Sequence, residues 1–395
     1  MKRFFSYIIL SFFLLLLPTG QASANNNDSI RLSLLTCAPG EEIYSLFGHT
    51  AIRYENPSQG IDIVFNYGLF SFNTPNFIFR FSLGETDYQL GATDYERFAA
   101  EYAFFGRSAW QKTLNLTDEE KTELIRLLQE NYRPENRVYR YNFFYDNCAT
   151  RPRDKIEESI AGKVIYPAEP QDGSLTFRDI VHQYCKGHPW ARFGIDLCIG
   201  SEADQPITQR QMMFAPFYLM DAFDGAQIKS DSIQRPLITA NELVVDATPE
   251  PDESGWMPTP LQCTLLLFIL TTAATIYGIR RRTGLWGIDL FLFGIAGIVG
   301  CVLAFLALFS QHPAVSSNFL LLVFHPGQLL FLPYIIYCVR KGKKCWYLTL
   351  NLAVLTLFIV LFPVIPQRFD FAVVPLALCL LIRSVSNLIV TSKKK

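Results

Sequence analysis

Apolar residues cluster at the two ends of this chain and alternate with polar ones in between. After Met1-Lys2-Arg3, residues 4–17 are mostly apolar, Pro18-Thr19-Gly20 breaks the run, and Ala22-Ser23-Ala24 follows with small side chains. A basic start, an apolar core and a small-residue end are the three parts of a secretory signal peptide, so residues 1–24 are expected to be removed on export. Towards the other end, five apolar stretches lie at about 261–279, 286–309, 319–339, 346–366 and 371–391. Each approaches the roughly 20 residues that cross a bilayer as a helix. Arg280-Arg281-Arg282, Arg340-Lys341-Gly342-Lys343-Lys344 and Lys393-Lys394-Lys395 fall at alternate ends of these stretches. Basic loops stay in the cytoplasm, so residues 25–259 are expected outside, on the side that the signal peptide also indicates.

Between the ends the periodicity is that of a folded domain. Residues 30–36, 47–54 and 61–67 read as strands, the last two joined through Asn56-Pro57-Ser58-Gln59-Gly60 as a hairpin. With its centre near Pro57 and Ser58, that hairpin sets His49 across from Asn66, with Asp62 on the same face. A helix is expected near 94–104, and Thr117-Asp118-Glu119-Glu120 is a capping box opening another to about Tyr132. Residues 137–145 alternate as a strand running into Asn147-Cys148, and 209–223 closes the domain as a strand or helix. The proline-rich, polar stretch 225–259 reads as a linker. The organisation expected is a signal peptide (1–24), an α+β domain (25–224), a linker (225–259) and an all-α membrane domain of five transmembrane helices (260–395).

Composition narrows the function classes. The 395 residues are 50% hydrophobic with 33 Phe, and the formal net charge is −1. No basic surplus or nucleic-acid motif is present, so nucleic acid is not an expected partner. His182, Cys185, His188 and Cys198 have no zinc-site spacing, so no metal and no cofactor are expected. In an exported domain at most one disulfide is expected, Cys185–Cys198.

The candidate chemistry is a thiol. Cys148 follows an aromatic run and sits where a helix should begin, where unsatisfied N–H groups favour a thiolate and can hold an oxyanion. Either Asn147 caps a short turn carrying Cys148, or Thr150 caps the main helix with Pro152 in its first turn. His49 heads a strand and is the candidate base. Its second nitrogen needs an orienting partner, for which Asn66 is the first candidate and Asp62 the second. In the membrane part, Asp289 and Arg383 are a candidate intramembrane pair, and His325-Pro326-Gly327-Gln328 interrupts the third span. His312 and Asn318 lie in a polar outer loop and are candidates for a lipid head group.

A strand histidine followed by a cysteine at a helix start resembles the circularly permuted NlpC-type papain-like fold of lecithin retinol acyltransferase and its relatives. More closely, Ser45-Leu46-Phe47-Gly48-His49-Thr50-Ala51, Phe65-Asn66-Tyr67-Gly68 and Asp146-Asn147-Cys148-Ala149-Thr150-Arg151, with the apolar spans, resemble the Lnb family of Bacteroidetes. That resemblance implies an inner-membrane protein with a periplasmic catalytic domain, moving an acyl chain from a phospholipid donor to the free α-amine of a diacylated lipoprotein acceptor. Cys148 would be the nucleophile and His49 the base. The rival expectations are a periplasmic cysteine peptidase or amidase acting on peptidoglycan, and a non-catalytic envelope scaffold.

Overall fold

A computed structural model describes residues 30–73, 75–230, 233–247 and 256–392; the expected signal peptide and Lys393-Lys394-Lys395 lie outside the described residues. Strands β1 (Arg31–Cys37), β2 (His49–Asn56) and β3 (Ile61–Leu69) lead into α1 (Phe77–Leu83), β4 (Asp87–Asp94), α2 (Tyr95–Phe104), β5 (Ala109–Leu114), α3 (Asp118–Tyr132) and β6 (Val138–Arg140). There follow α4 (Thr150–Ser159), β7 (Lys163–Ile165), α5 (Phe177–Tyr184), α6 (Pro189–Cys198), α7 (Gln209–Met212) and α8 (Pro216–Asp224). Three more strands, β8 (Gln227–Lys229), β9 (Gln234–Pro236) and β10 (Ile238–Val245), end the soluble part.

Seven strands form one antiparallel sheet in the order β10-β5-β1-β2-β3-β4-β6, and β7-β8-β9 form a small second sheet. Alternation along β1 and β2 divides the large sheet's residues between two apolar layers. Leu32, Leu34, Ile52 and Phe65 pack against α3, α4 and α8, whereas Leu35, Ala51 and Val64 pack under Phe98 of α2. The capping box of α3 is present, with Thr117 and Glu120 each accepting the other's backbone N–H.

Two expectations change. Residues 227–245, read as linker, form three strands, and β10 pairs with β5 at the sheet edge. Short strands rich in polar residues around Pro236 carry little alternation, so proline content outweighed it in the sequence. Of the strand expected over 137–145, only β6 forms, because the Asn142 side chain accepts from the Phe144 and Tyr145 N–H groups and turns the chain. Cys185 and Cys198 are free thiols, not a disulfide.

The membrane part comprises α9 (Pro260–Arg281), α10 (Trp286–Phe309), α11 (Pro326–Leu330), α12 (Leu332–Lys341), α13 (Trp346–Leu361) and α14 (Val373–Ser392). Three of these helices, α9, α10 and α14, are long and apolar enough to cross a bilayer. The segment 319–330 and α12 together pass the same test but meet at a bend of 73°, the geometry of a broken span or of a re-entrant loop. The 16 residues of α13 rise only about 24 Å, short of the roughly 30 Å of hydrocarbon. By length and composition the described helices thus support three spans, or four if the bent pair is one crossing. The bend falls at Phe331, just before Pro333, which has no N–H to continue the preceding turn. Within the first segment His325-Pro326-Gly327 starts a new helix, and Gln328 Nε2 donates to Val323 O at 2.8 Å.

Arg383 is the polar centre of this bundle. Its guanidinium donates to both carboxylate oxygens of Asp289 at 2.6 and 3.1 Å and to Thr275 Oγ1 at 3.0 Å, and both charged side chains are buried.

The two parts are joined along a hydrogen-bonded seam. Gly200 and Ser201 N–H groups donate to Ala314 O and Ser317 O, Gln367 Nε2 donates to Ile199 O, and Arg368 pairs with Asp179 and Asp204. All of these membrane-side residues lie in the 310–318 and 367–370 loops. The basic clusters Arg280-Arg281-Arg282 and Arg340-Lys341 lie at the other helix ends, as the charge rule requires.

Arg383→Leu is expected to destabilise the bundle by about 3–5 kcal/mol because it strands the Asp289 carboxylate, and Asp289→Leu in addition is expected to restore most of that. Unfolding in detergent micelles measures both.

Candidate active site

Gly48 begins the site. Its φ of +78° suits glycine, and a Cβ there would lie 2.5 Å from Cys37 O. The chain therefore turns tightly and enters β2 at His49, which pairs across β1 with Cys37. On the other side β2 pairs with β3 in the register Ala51↔Asn66 to Glu55↔Asp62. The expected partner of His49 is displaced by two residues, because the hairpin turns one residue later, through Pro57–Gln59 and Gly60. Parity is kept, so Asn66 is a diagonal neighbour on the same face as His49.

That neighbour is the orienting group. His49 Nε2 lies 3.2 Å from Asn66 Oδ1, while Asn66 Nδ2 donates to Val64 O. With Oδ1 accepting, Nε2 carries the proton and Nδ1 offers its lone pair. Asp62 does not take part: both its oxygens accept from Arg53, at 2.8 and 2.7 Å, four residues further along the strand. Parity alone could not separate the two candidates.

Continuing the β2–β3 register by two residues beyond its last pair sets Gly68 opposite His49, at the place where β3 on its other side breaks register with β4 between Asn66 and Leu69. A Cβ on Gly68 would lie 3.5 Å from Cys148 Cβ and 4.0 Å from the Tyr139 hydroxyl. Gly68 has φ +95°, which suits glycine, and its open side packs directly against Cys148.

Asn147 builds the turn that presents Cys148. Its Oδ1 accepts from the Ala149 and Thr150 N–H groups at 2.8 and 3.0 Å, and its Nδ2 donates to Phe143 O and Phe214 O at 2.8 and 2.9 Å. The Asn147 N–H in turn donates to Thr150 Oγ1, so Asn147 caps the turn that carries Cys148, whereas Thr150, the first residue of α4, does not cap that helix; Pro152 sits in its first turn. All of these side-chain groups have partners, so Asn147 orients the turn and has no amide free for an oxyanion. Arg151 locks the same turn with a bidentate pair to Asp146 and stacks 3.6 Å over the Tyr139 ring.

Burial sets the protonation states. It pushes the Cys148 thiol up to about 11, against backbone hydrogen bonds from Thr50 and from its own N–H that favour the thiolate. It pulls His49 down to about 4, with the Asn66 hydrogen bond opposing and the Arg107 charge adding. Both side chains nonetheless keep part of their surface open. At rest the pair is neutral thiol and neutral imidazole, and among the described residues no hydrogen bond joins them. Catalytic contacts often close only around substrate.

Two features went unread in the sequence. Among the described residues the Tyr139 hydroxyl, which shares the surroundings of Gly68 with Cys148, and Oγ1 of Thr50, whose backbone bonds the thiol, are buried with no hydrogen-bond partner. The alternation Val138-Tyr139-Arg140-Tyr141 was the available signal, since it points both tyrosines to one face. Cys37, paired with His49, is fully buried, and burial pushes its thiol up to about 12.

The two loop residues considered for a lipid head group have other partners. His312 Nε2 donates to Phe81 O at 2.6 Å, and Asn318 Nδ2 donates to Leu197 O at 2.7 Å while its Oδ1 accepts from Leu320 N–H. Both bind the soluble part to the membrane part. His182 is held by both oxygens of Asp196 at 2.9 Å.

The Lnb N-terminal periplasmic domain matches residues 20–182, and the Lnb transmembrane domain matches residues 252–395. The chain belongs to the Lnb family. It is thus a membrane-anchored periplasmic enzyme of the Lnb type, and His49, Asn66 and Cys148 all lie inside the first match. No curated protein and no solved structure matches the chain.

A thiol held near 11 is ionised only to about one part in ten thousand at pH 7. Alkylation of Cys148 by iodoacetamide is expected to keep rising beyond pH 9, and His49→Ala is expected to leave that profile unchanged. A rate plateau reached by about pH 7 would show instead a preformed thiolate–imidazolium pair.

Proposed function

We infer that this Lnb protein is a cysteine acyltransferase of the inner membrane, moving an acyl chain from a phospholipid through a Cys148 thioester to the N-terminal amine of a diacylated lipoprotein. What supports the reading most is the convergence of Cys148, His49 and Asn66 at one end of the large sheet, in a domain whose helices and 199–201 segment are hydrogen-bonded to the outer loops of a membrane bundle. A strand histidine before a helix-start cysteine also fits a circularly permuted papain-like fold. We take α13 as a fifth, short crossing, which returns the chain to the outer side before α14.

His49 Nδ1 takes the thiol proton as sulfur attacks the ester carbonyl carbon, so that no free thiolate need form beforehand. The C–S bond forms and the carbonyl oxygen becomes an oxyanion, next to the Cys148 N–H and the Tyr139 hydroxyl. The oxyanion collapses, the ester C–O bond breaks, and His49 returns the proton to the departing lysophospholipid. An α-amine then attacks the thioester: the N–C bond forms, the C–S bond breaks, and an amine proton passes through His49 to sulfur. Fixing the thiol at the bilayer raises the effective concentration of both lipid-anchored substrates.

Intact-lipopeptide mass spectrometry of cells lacking the gene tests the whole reading. The N-terminal cysteine is expected to lose one acyl chain, regained with the wild-type gene and not with Cys148→Ala or His49→Ala. Unchanged triacylation sends the assignment to the hydrolase. Tyr139→Phe removes a hydroxyl that has no partner, so stability is expected to hold while acyl-enzyme formation falls about 100-fold, as measured by single-turnover loading of Cys148.

A further inference from the structure

Helix α1 has the sequence Phe77-Ile78-Phe79-Arg80-Phe81-Ser82-Leu83 and buries none of its residues. Ile78 is 79% exposed and Phe79 58%, and Tyr44 and Phe72 beside them are 63% and 64% exposed. These rings touch one another, Tyr44–Phe72 at 6.2 Å and Phe72–Phe77 at 5.2 Å, so the patch is continuous. An apolar patch of this kind marks a docking surface.

Its position says what covers it. The Phe79 ring lies 5.8 Å from Phe305 of α10, Leu83 O accepts from the Gln311 N–H at 2.8 Å, and Phe81 O accepts from His312. Phe305 is one turn from the outer end of α10 at Phe309, a depth of about 6 Å along the helix. Interfacial helices immerse by a similar amount, about 5–10 Å. The face of α10 there, with Leu308 75% and Phe309 64% exposed, is lipid-facing, and α1 continues it. Arg80, the only charge on α1, is drawn away from this face to Asp87 and Glu85 O.

A row of rings leads inward from the patch. Phe77 stacks on Phe70 at 5.6 Å, Phe70 meets Tyr88 at 5.0 Å, and Tyr88 stacks on Tyr141 at 4.1 Å. Leu69 and Phe70 directly follow Gly68, the residue against which Cys148 packs. We propose that α1 and the 69–72 segment are immersed in the outer leaflet, and that a phospholipid acyl chain leaves the bilayer along these rings to reach Cys148. Immersion stands on the contacts with α10 alone; the acyl route rests on the acyl-transfer reading above.

The test uses the full chain in phospholipid vesicles, with a photoreactive benzoylphenylalanine placed at Ile78 or, as control, at Ile233, which is exposed on the soluble part. Irradiation is expected to give phospholipid adducts at position 78 and none at 233; absence of adducts at 78 overturns immersion. In parallel, Phe79→Asp places a charge on the immersed face. Loading of Cys148 from vesicle phospholipid is expected to fall by about tenfold relative to loading from a soluble short-chain ester, since the charge opposes immersion but not attack on a soluble donor. An unchanged ratio in a variant that melts like wild type overturns the route. If the wild-type chain loads from neither donor, the acyl-transfer reading and the route fail together, while the adducts still decide immersion.

Discussion

The site depends on one side chain whose hydrogen-bonding groups all face the backbone. Asn147 joins three stretches: the aromatic turn before it through Phe143 O, the first turn of α4 through the Ala149 and Thr150 N–H groups, and the distant segment before α8 through Phe214 O. The thiol's position is therefore set by long-range folding as much as by its local turn. Phe214 lies beyond the end of the matched periplasmic domain, so the residues between the two matches help to hold the turn that carries Cys148. Losing such a buried amide leaves several backbone groups unsatisfied at once.

The resting state that burial creates is electrically quiet. Neither the imidazole nor the thiol is charged at neutral pH, and the nearest fixed charges, Arg107 and the Asp146–Arg151 pair, are engaged elsewhere. On the acyl-transfer reading, proton transfer belongs to the moment of attack, and the partnerless Tyr139 hydroxyl would face the negative charge that attack creates.

How much was legible follows from which signals are local. Asn147-Cys148 before a proline-limited helix, the capping box of α3 and the Asp289–Arg383 pair could all be read, because each depends on spacing within one element or on the expense of a lone charge in lipid. His49 and Asn66 were paired through strand parity, which survives a two-residue error in register. Asp62 failed for the same reason it was considered, since parity carries no information on distance along the strand. Strand β10 was hidden by the prolines on either side of it, and the head-group candidates His312 and Asn318 proved to be joints between the two parts of the chain. A polar loop on the outer side of a membrane domain serves either purpose equally well until its neighbours are known.

The seam at residues 197–204 and the α1 contacts with α10 hold the periplasmic domain at two separate points. A domain held twice is restrained from swivelling on its bundle as one on a single tether would, which fixes its height and tilt relative to the bundle. On the acyl-transfer reading proposed above, encounters at the thiol take place in two dimensions, and turnover would follow the number of partners per unit area of membrane, which diluting the surrounding solution leaves untouched.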